Sequence, residues 1–322
     1  MVRAWIITRN LSEDDSNLLD STEFKSEKDN NVYEAIKVKH GFKKLGIDCK
    51  LIKLSELKSD VFISRMVRDD IPDIVVVRCM LWTTEEVNML TALSNRGIIV
   101  LNNSRSQILC MNKWFQYKEL NRAGVAIPKT GVTPLLYSTE EILSSMQSNN
   151  LIFPIVVKSI RGSRANSVFK CNNVEQVIES IIKINEIYPQ TKYAILQEWI
   201  DHRAKDAKGV ISVLTFGDKF YCQQRRPNRE MDFFISNPRA NCDRNEYEIT
   251  TGLKELVTKT IPVMGNIELS RFDVLHDGQK YLICEVNSPG AFTGYDLTMG
   301  MDCGLMVAEY ALEKYKIDNK LN

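Results

Sequence analysis

An α/β fold, turning to α+β organisation in the C-terminal half, is predicted by three observations. The run Ile74-Val75-Val76-Val77-Arg78 is apolar without alternation, the pattern of a parallel strand covered on both faces. Strand and helix patterns alternate through the first third of the chain, as in a small doubly wound unit. Two polar turns, Gly217-Asp218 and His276-Asp277-Gly278-Gln279, each join strand-like runs, so antiparallel hairpins take over later.

In chain order, Arg3–Thr8 and Cys49–Leu54 read as strands flanking the Asp-, Glu-, Ser- and Asn-rich stretch Ser12–Asn31, which reads as a solvated or substrate-facing loop. After the Ile74–Arg78 strand, Thr83–Arg96 has helical spacing with Gly97 as its stop, and Ile98–Leu101 returns to strand. The first strand is not followed by G-x-G-x-x-G, so the dinucleotide fingerprint is missing. Asn112 can cap a helix over Lys113–Ala123, which Gly124 and Pro128 end. Phe153–Ser159 and Ser167–Lys170 read as a hairpin around a glycine-containing loop, followed by a helix over Val174–Ile187 and a strand over Tyr193–Ile200. Beyond it lie the Gly217-Asp218 hairpin, a polar basic segment through Arg239 and a helix near Leu253–Thr260. The hairpin Asn266–Leu275 with Lys280–Asn287 and a last helix around Leu305–Tyr315 complete the chain. The pattern divides into units at 1–110, 111–196 and 197–322.

Acidic and basic residues nearly cancel, 41 against 42, and are interspersed, which argues against a nucleic-acid or anionic-membrane partner. No stretch approaches the roughly 20 apolar residues of a membrane span. The start Met1-Val2-Arg3-Ala4-Trp5 leads into a strand rather than a signal segment, so a soluble, cytoplasmic protein is expected. Eight cysteines occur singly and only three histidines are present, without a C-x-x-C or H-E-x-x-H pattern, which argues against zinc chemistry and disulfides.

Asp273, Glu285 and Asn287 fall on the last hairpin, with Glu285 and Asn287 on one face of their strand because side chains two apart point the same way. Three oxygen donors on adjacent strands can hold a hard cation against phosphates, or can be the polar decoration of a wet hairpin face. Lys158 ends the run Pro154-Ile155-Val156-Val157 and precedes Ser159-Ile160-Arg161-Gly162-Ser163-Arg164-Ala165-Asn166-Ser167. A cation at a strand end followed by small residues and two arginines suits a polyphosphate lid, although an ordinary basic loop has the same letters. Lys113 alone reads equally as surface charge. Gln197-Glu198-Trp199-Ile200 offers backbone groups and a carboxylate at a strand end, where a purine edge could pair, although any strand with a polar edge has the same letters.

The combination is more specific than its parts. Met111-Asn112-Lys113, then Phe153-Pro154-Ile155-Val156-Val157-Lys158 with its Arg161-Gly162 loop, then Gln197-Glu198, Phe272-Asp273 and Glu285-Val286-Asn287-Ser288-Pro289-Gly290 resemble the ATP-grasp superfamily. From about Val75 to Tyr315 the resemblance is to its RimK-type branch of carboxylate–amine ligases, which includes protein glutamate ligases and N-acetylaspartylglutamate synthases. It implies an ATP-grasp fold behind an N-terminal doubly wound pre-ATP-grasp domain, and formation of an amide from ATP through an acyl phosphate. Lys113 and Lys158 would contact the ATP phosphates under a lid of Arg161, Gly162, Ser163 and Ser167. Gln197, Glu198, Trp199 and Ile200 would hold adenosine, and Asp273, Glu285 and Asn287 would ligate two magnesium ions, for which manganese could substitute. Arg226, with Arg225 adjacent, would stabilise the acyl phosphate, and Asn237 would lie near the transferring phosphoryl group. The partners implied are a carboxylate and an amine, small molecule or peptide, with glutamate the favoured amino acid; the branch is often dimeric or tetrameric, which leaves a homo-oligomer open.

Two segments depart from the branch. Its Asp-x-Arg pair before the Gly-Asp turn is replaced by Val210 and Ser212, with Asp206 and Lys208 just upstream, and its glycine pair after the asparagine is replaced near Asn241 and Cys242. These departures keep two other readings in view, a nucleotide-binding module without turnover and a peptide macrocyclase. The run Ala291-Phe292-Thr293-Gly294-Tyr295-Asp296 reads as shaping the acceptor side or as a plain loop.

Overall fold

The computed structural model describes residues 2–9, 27–57, 71–135, 138–162, 167–201, 208–227 and 242–319. Three sheets succeed one another along the chain. The first contains β1 (Arg3–Thr8), α1 (Glu27–Lys44), β2 (Asp48–Lys53), β3 (Ile74–Val77), α2 (Thr84–Ser94) and β4 (Ile99–Leu101). Its strands are parallel in the order β2-β1-β3-β4, the doubly wound arrangement expected from the alternating pattern. Ile74–Val77 is buried at every position because helices cover both faces, and α2 begins with a capping box between Thr83 and Glu86.

Next come α3 (Ser104–Met111) and α4 (Lys113–Arg122), the latter capped by the Asn112 side chain, which accepts from the N–H groups of Trp114 and Phe115. Gly124 follows at φ +63°, a conformation a side chain would disfavour, and ends the helix as expected. The second sheet contains β5 (Thr130–Pro134), α5 (Thr139–Ser148), β6 (Ile155–Ser159), β7 (Val168–Cys171), α6 (Val174–Ile187) and β8 (Tyr193–Glu198), with strand order β5-β8-β6-β7. Ile142, Met146, Val177, Ile181 and Ile184 from its helices form one core with Ile155, Val157, Ala194 and Leu196.

The third sheet contains β9 (Val210–Phe216), β10 (Lys219–Pro227), β11 (Cys242–Glu246), α7 (Thr251–Val263), β12 (Leu269–His276) and β13 (Tyr281–Asn287), in antiparallel order β11-β10-β9-β12-β13. One face is apolar: Ile211, Val213, Phe272, Val274, Ile283 and Val286 pack under Leu253, Leu256 and Val257 of α7. The chain ends with α8 (Thr293–Met299) and α9 (Cys303–Asp318). Among the described residues no helix is long and apolar enough to cross a membrane.

Sequence pattern misses some of these elements. Helix α1 starts at Glu27, inside the stretch read as a loop, because its first turn is polar and its apolar stripe begins only at Val32. That stripe, with Ala35, Val38 and Phe42, packs against Val307, Ala308 and Ala311 of α9, so the end of the chain completes the core of its beginning. Thr293–Met299 is helical where a loop was one alternative, and β5, α3 and α5 were not anticipated. The basic segment through Arg239 lies outside the described residues.

The first sheet docks on the last hairpin through polar groups that are fully enclosed. The Asn102 amide accepts from the N–H of Glu268 at 3.0 Å and of Leu269 at 2.7 Å, and donates to Leu269 O and Ser288 Oγ. Glu34 of α1 accepts from the N–H groups of Phe292 and Thr293, at 2.6 and 2.9 Å, and from Thr293 Oγ1, while Arg78 donates to Glu34 and to Gly290 O. Helix α8 therefore takes its N-terminal cap from α1 rather than from its own sequence. Gly290 has no space for a side chain, since a Cβ would overlap the backbone of Ser270 and Arg271. Glu34→Gln is expected to lower stability by about 3–5 kcal/mol, because it leaves the Arg78 charge enclosed without its carboxylate. The midpoint of urea unfolding checks this, and an unchanged midpoint would contradict it.

Candidate active site

The second face of the third sheet is apolar at one end, where Leu214, Phe216 and Leu269 join the first core, and polar beyond it. Directly opposed residues of antiparallel strands share a face. Asp273 lies opposite Glu285 and Ser212, Arg271 opposite Asn287 and Leu214, Gln223 opposite Ser212, and Arg225 opposite Arg244 and Val210. Three arginines therefore share one surface with both carboxylates and the amide singled out on the hairpin. A register irregularity follows at once: Asp273 pairs with Glu285 but Val274 with Ile283, so Cys284 of β13 is the extra residue, next to Glu285.

Each carboxylate is held by cations. Asp273 Oδ1 pairs with Arg225, and Asp273 Oδ2 accepts from Arg271 at 3.2 Å and from Asn287 Nδ2 at 3.3 Å. Burial pushes the Asp273 carboxyl up in pKa, but Arg271 and then Arg225 outweigh it, so the group sits below its ordinary value. Glu285 Oε1 pairs with Lys113 at 2.9 Å, and the same Lys113 ammonium donates to Gly162 O at 2.6 Å. One lysine thus ties the lid loop of the second sheet to the hairpin of the third. Lys113 is on the first turn of α4, and the Gln116 amide of that helix brackets Val286, accepting from its N–H at 2.8 Å and donating to its carbonyl at 2.9 Å. Helix α4 is in this way pinned alongside the strand carrying Glu285 and Asn287.

Lys158 is buried at the end of β6, with its ammonium 2.5 Å from Tyr117 Oη and 2.8 Å from Gln197 Oε1. Tyr117 in turn donates to Cys284 O at 2.5 Å, one residue before Glu285. Burial holds the phenol well above its ordinary pKa, so it stays protonated and able to donate. Gln197 is oriented by donating to Thr130 Oγ1 at 2.8 Å. Both lysines therefore belong to one polar network with the hairpin, although they lie far from it in sequence.

At the end of β8, Glu198 accepts from the N–H of Lys129 at 3.1 Å and its own N–H donates to Lys129 O at 2.8 Å. The Trp199 ring carries the Lys170 ammonium at 4.2 Å from its centroid, and Ile200 is buried. Of the lid residues, Arg161 is exposed with its N–H on Ser159 Oγ, and buried Ser167 accepts from the N–H of Ser159 through its carbonyl. Ser163, Asn237 and Asp206 lie outside the described residues, and Arg226 is placed only by its backbone in β10. Lys208 points its ammonium to Tyr281 Oη at 3.1 Å.

Among the described residues no three His, Cys, Asp or Glu side chains could hold a metal unaided. Two carboxylates and an amide oxygen on one face fit a magnesium-type ion, which takes one or two carboxylates from the protein and fills its octahedron with water and phosphate oxygens. Sequence inspection missed Tyr117, Arg244 and Arg271. Arg271 sits two residues before Asp273 and so on its face of β12, a signal that strand alternation offered; Tyr117 carried none, since its role depends on where α4 packs.

Comparison with known proteins agrees with this geometry. The RimK-like ATP-grasp domain matches residues 110–311, which include every lysine, carboxylate and arginine of this site. N-acetylaspartylglutamate synthase A of Mus musculus is 25% identical over 249 residues, covering 75% of this chain and 62% of the relative. The chain thus spans somewhat under two thirds of that relative's length. Among solved structures, an ATP-grasp RimK domain protein from Sphaerobacter thermophilus superposes with a TM-score of 0.68 at 15% identity, over 97% of this chain and 100% of that one. The ATP-grasp ligase PsnB, solved with a precursor variant, Mg and ADP, reaches 0.68 at 13% identity over 98% and 99%. With the second and third sheets, the joined lysines and the registered hairpin all inside the matched span, the chain belongs to the RimK-like ATP-grasp family.

Proposed function

We propose that the chain is an ATP- and magnesium-dependent carboxylate–amine ligase that releases ADP and phosphate. The observation that carries this is the single network from Lys158 through Tyr117 to the Cys284–Glu285 strand, with Lys113 bridging Gly162 and Glu285. It sets two cations from separate elements beside a carboxylate hairpin, an arrangement suited to a polyphosphate and its counter-ion. Division into an N-terminal α/β domain (1–110), a central subdomain (111–196) and a C-terminal subdomain with the metal site (197–322) is supported by the three sheets.

A carboxylate at neutral pH does not expel oxide, so amide formation needs a better leaving group. Transfer of the γ-phosphoryl group makes a carboxyl oxygen part of a phosphate; the amine then adds to the carbonyl, and phosphate leaves with that oxygen. Bound magnesium would supply charge neutralisation along the phosphates, held by Asp273, Glu285 and Asn287. Lys113 and Lys158 would position the triphosphate, and the Arg161–Ser167 loop would close over it. Gln197, Glu198, Trp199 and Ile200 lie along the strand end that would take adenosine. Arg225, on the sheet face beside Asp273, would stabilise charge on the acyl phosphate, as would Arg226 and Asn237. An amino acid such as glutamate is the favoured amine, joined to a small molecule or peptide in the cytoplasm; manganese as a substitute ion and a homo-oligomer extend this reading.

Incubation of the purified protein with ATP, magnesium, amino acids and a panel of carboxylates is expected to release ADP and phosphate only when both substrates are present. AMP and pyrophosphate in their place would overturn the mechanism.

A further inference from the structure

Among the described residues β13 ends its sheet, and its outer side is held by helix α4. Tyr117 donates to Cys284 O at 2.5 Å, Lys113 pairs with Glu285, and the Gln116 amide brackets the backbone of Val286. Three successive residues of the strand are thus tied to one face of α4, because steps of three and four residues return to the same side of a helix. Cys284 is the extra residue where the register of β12 and β13 shifts, and an extra residue is left out of the ladder. The Tyr117 hydroxyl therefore fixes the strand where the ladder does not, one residue before Glu285.

Tyr117 makes a second bond that packing does not require. The residue is 1% exposed, and a single partner would satisfy its buried phenol. Its oxygen also accepts from the Lys158 ammonium at 2.5 Å, and that ammonium donates to Gln197 Oε1 as well. An ammonium has three donors and no acceptor. The direction of each bond is therefore set: Lys158 donates to Tyr117, and the phenol proton goes to Cys284 O. The third ammonium N–H is committed to neither Tyr117 nor Gln197. Gln197 and Tyr117 both orient Lys158, but Gln197 leads back to Thr130 in the second sheet, whereas Tyr117 leads to the strand of Glu285 and Asn287.

We propose that Tyr117 is a positioning residue whose hydroxyl couples the phosphate site at Lys158 to the cation site at Glu285. This rests on the ligase proposal and assigns the link between its two binding sites. A cation drawn onto Glu285 sets the strand beside the extra residue, and the hydroxyl carries that position to Lys158. Lysine and cation are thereby brought to the same phosphates in one register. The coupling is reciprocal, so nucleotide and cation tighten each other by one factor.

The test is calorimetric titration of the full chain with ADP, with and without Mg2+, which gives the factor by which Mg2+ tightens ADP. Tyr117→Phe keeps the ring and should cut that factor about 10-fold, the size of one hydrogen bond to a charged group. ADP without Mg2+ should weaken only a few-fold. Gln197→Met also takes one acceptor from Lys158, yet it should weaken ADP equally in both conditions and leave the factor unchanged. Lys158→Met should lose as much of the factor as Tyr117→Phe, and the two substitutions together no more than either alone. A merely structural tyrosine would instead add its effect to that of Lys158→Met. Thermal melting reports whether Tyr117→Phe folds; if it does not, Lys158→Met against Gln197→Met carries the comparison. The proposal is overturned if the folded variant that breaks the chain keeps the wild-type factor, if Gln197→Met loses it equally, or if Mg2+ does not tighten ADP in wild type. Failure of the ligase proposal shows separately, as no ADP release from ATP with any carboxylate and amine, and leaves the binding comparison standing.

Discussion

Lys158→Met is expected to lower kcat/KM for ATP-dependent ligation by about 10²–10³-fold, the loss associated with one preorganised electrostatic group. The wild-type ammonium is buried, bound to Tyr117 Oη and Gln197 Oε1, and 4.8 Å from the centroid of the Tyr117 ring. These contacts fix its direction before any ligand arrives, and the enclosure strengthens its field at a phosphate. Methionine preserves most of the stem volume, so thermal unfolding should shift by only a few degrees while turnover falls. Arginine is not an equivalent replacement: Lys158→Arg brings a wide planar fork into a space bounded by a phenol and an amide, and should rescue little. Steady-state kinetics on the two variants, with circular dichroism melting as the control, checks this. Full activity in Lys158→Met would remove the lysine from the phosphate site.

Asp273→Asn is expected to abolish metal-dependent turnover and also to destabilise the protein. Removal of one of two carboxylates from the cation site should reduce kcat by at least about 10³-fold, corresponding to several kcal/mol of lost charge stabilisation. Arg225 and Arg271 are left facing each other without their shared anion. That should cost about 2–4 kcal/mol, below the range for fully enclosed pairs because parts of these side chains reach water. The effect has a definite pH dependence. The folded-state pKa of Asp273 lies below its unfolded value of about 3.9. Its ionised form therefore contributes stability that is fully present above the unfolded value and lost as pH falls through the folded one. Urea unfolding with a chelator present should show the full gap between wild type and Asp273→Asn at pH 7, closing only as the solution is acidified past the ordinary carboxylate range. A gap that persists unchanged at low pH would mean that the carboxylate's charge is not what holds the arginines.

Much of the frame was legible before any coordinate. The uninterrupted apolar run at Ile74–Val77, the cap at Asn112 with its glycine stop, and the Val174–Ile187 helix are local statements, decided by periodicity, side-chain hydrogen bonding and backbone freedom within a few residues. Helix α1 was not legible at its start, because Glu27–Asn31 is polar and its cover comes from α9, over 250 residues away. The same limit applies to β5, a short strand that exists because Lys129-Thr130 and the chain beyond pair with β8.

At the site, alternation alone predicted that Glu285 and Asn287 share a face, and the order of lysines, carboxylates and arginines along the chain pointed to the family that the comparison shows. Residue identity and spacing carry that much because motifs are read along one dimension. Only the folded chain decided which groups meet. Register brought Arg225 onto Asp273, helix packing brought Tyr117 between Lys158 and the Glu285 strand, and docking of the first sheet gave Glu34 to the N-terminus of α8. Each of these contacts joins residues tens to hundreds of positions apart, where sequence spacing no longer constrains distance and only the summed burial of the cores does.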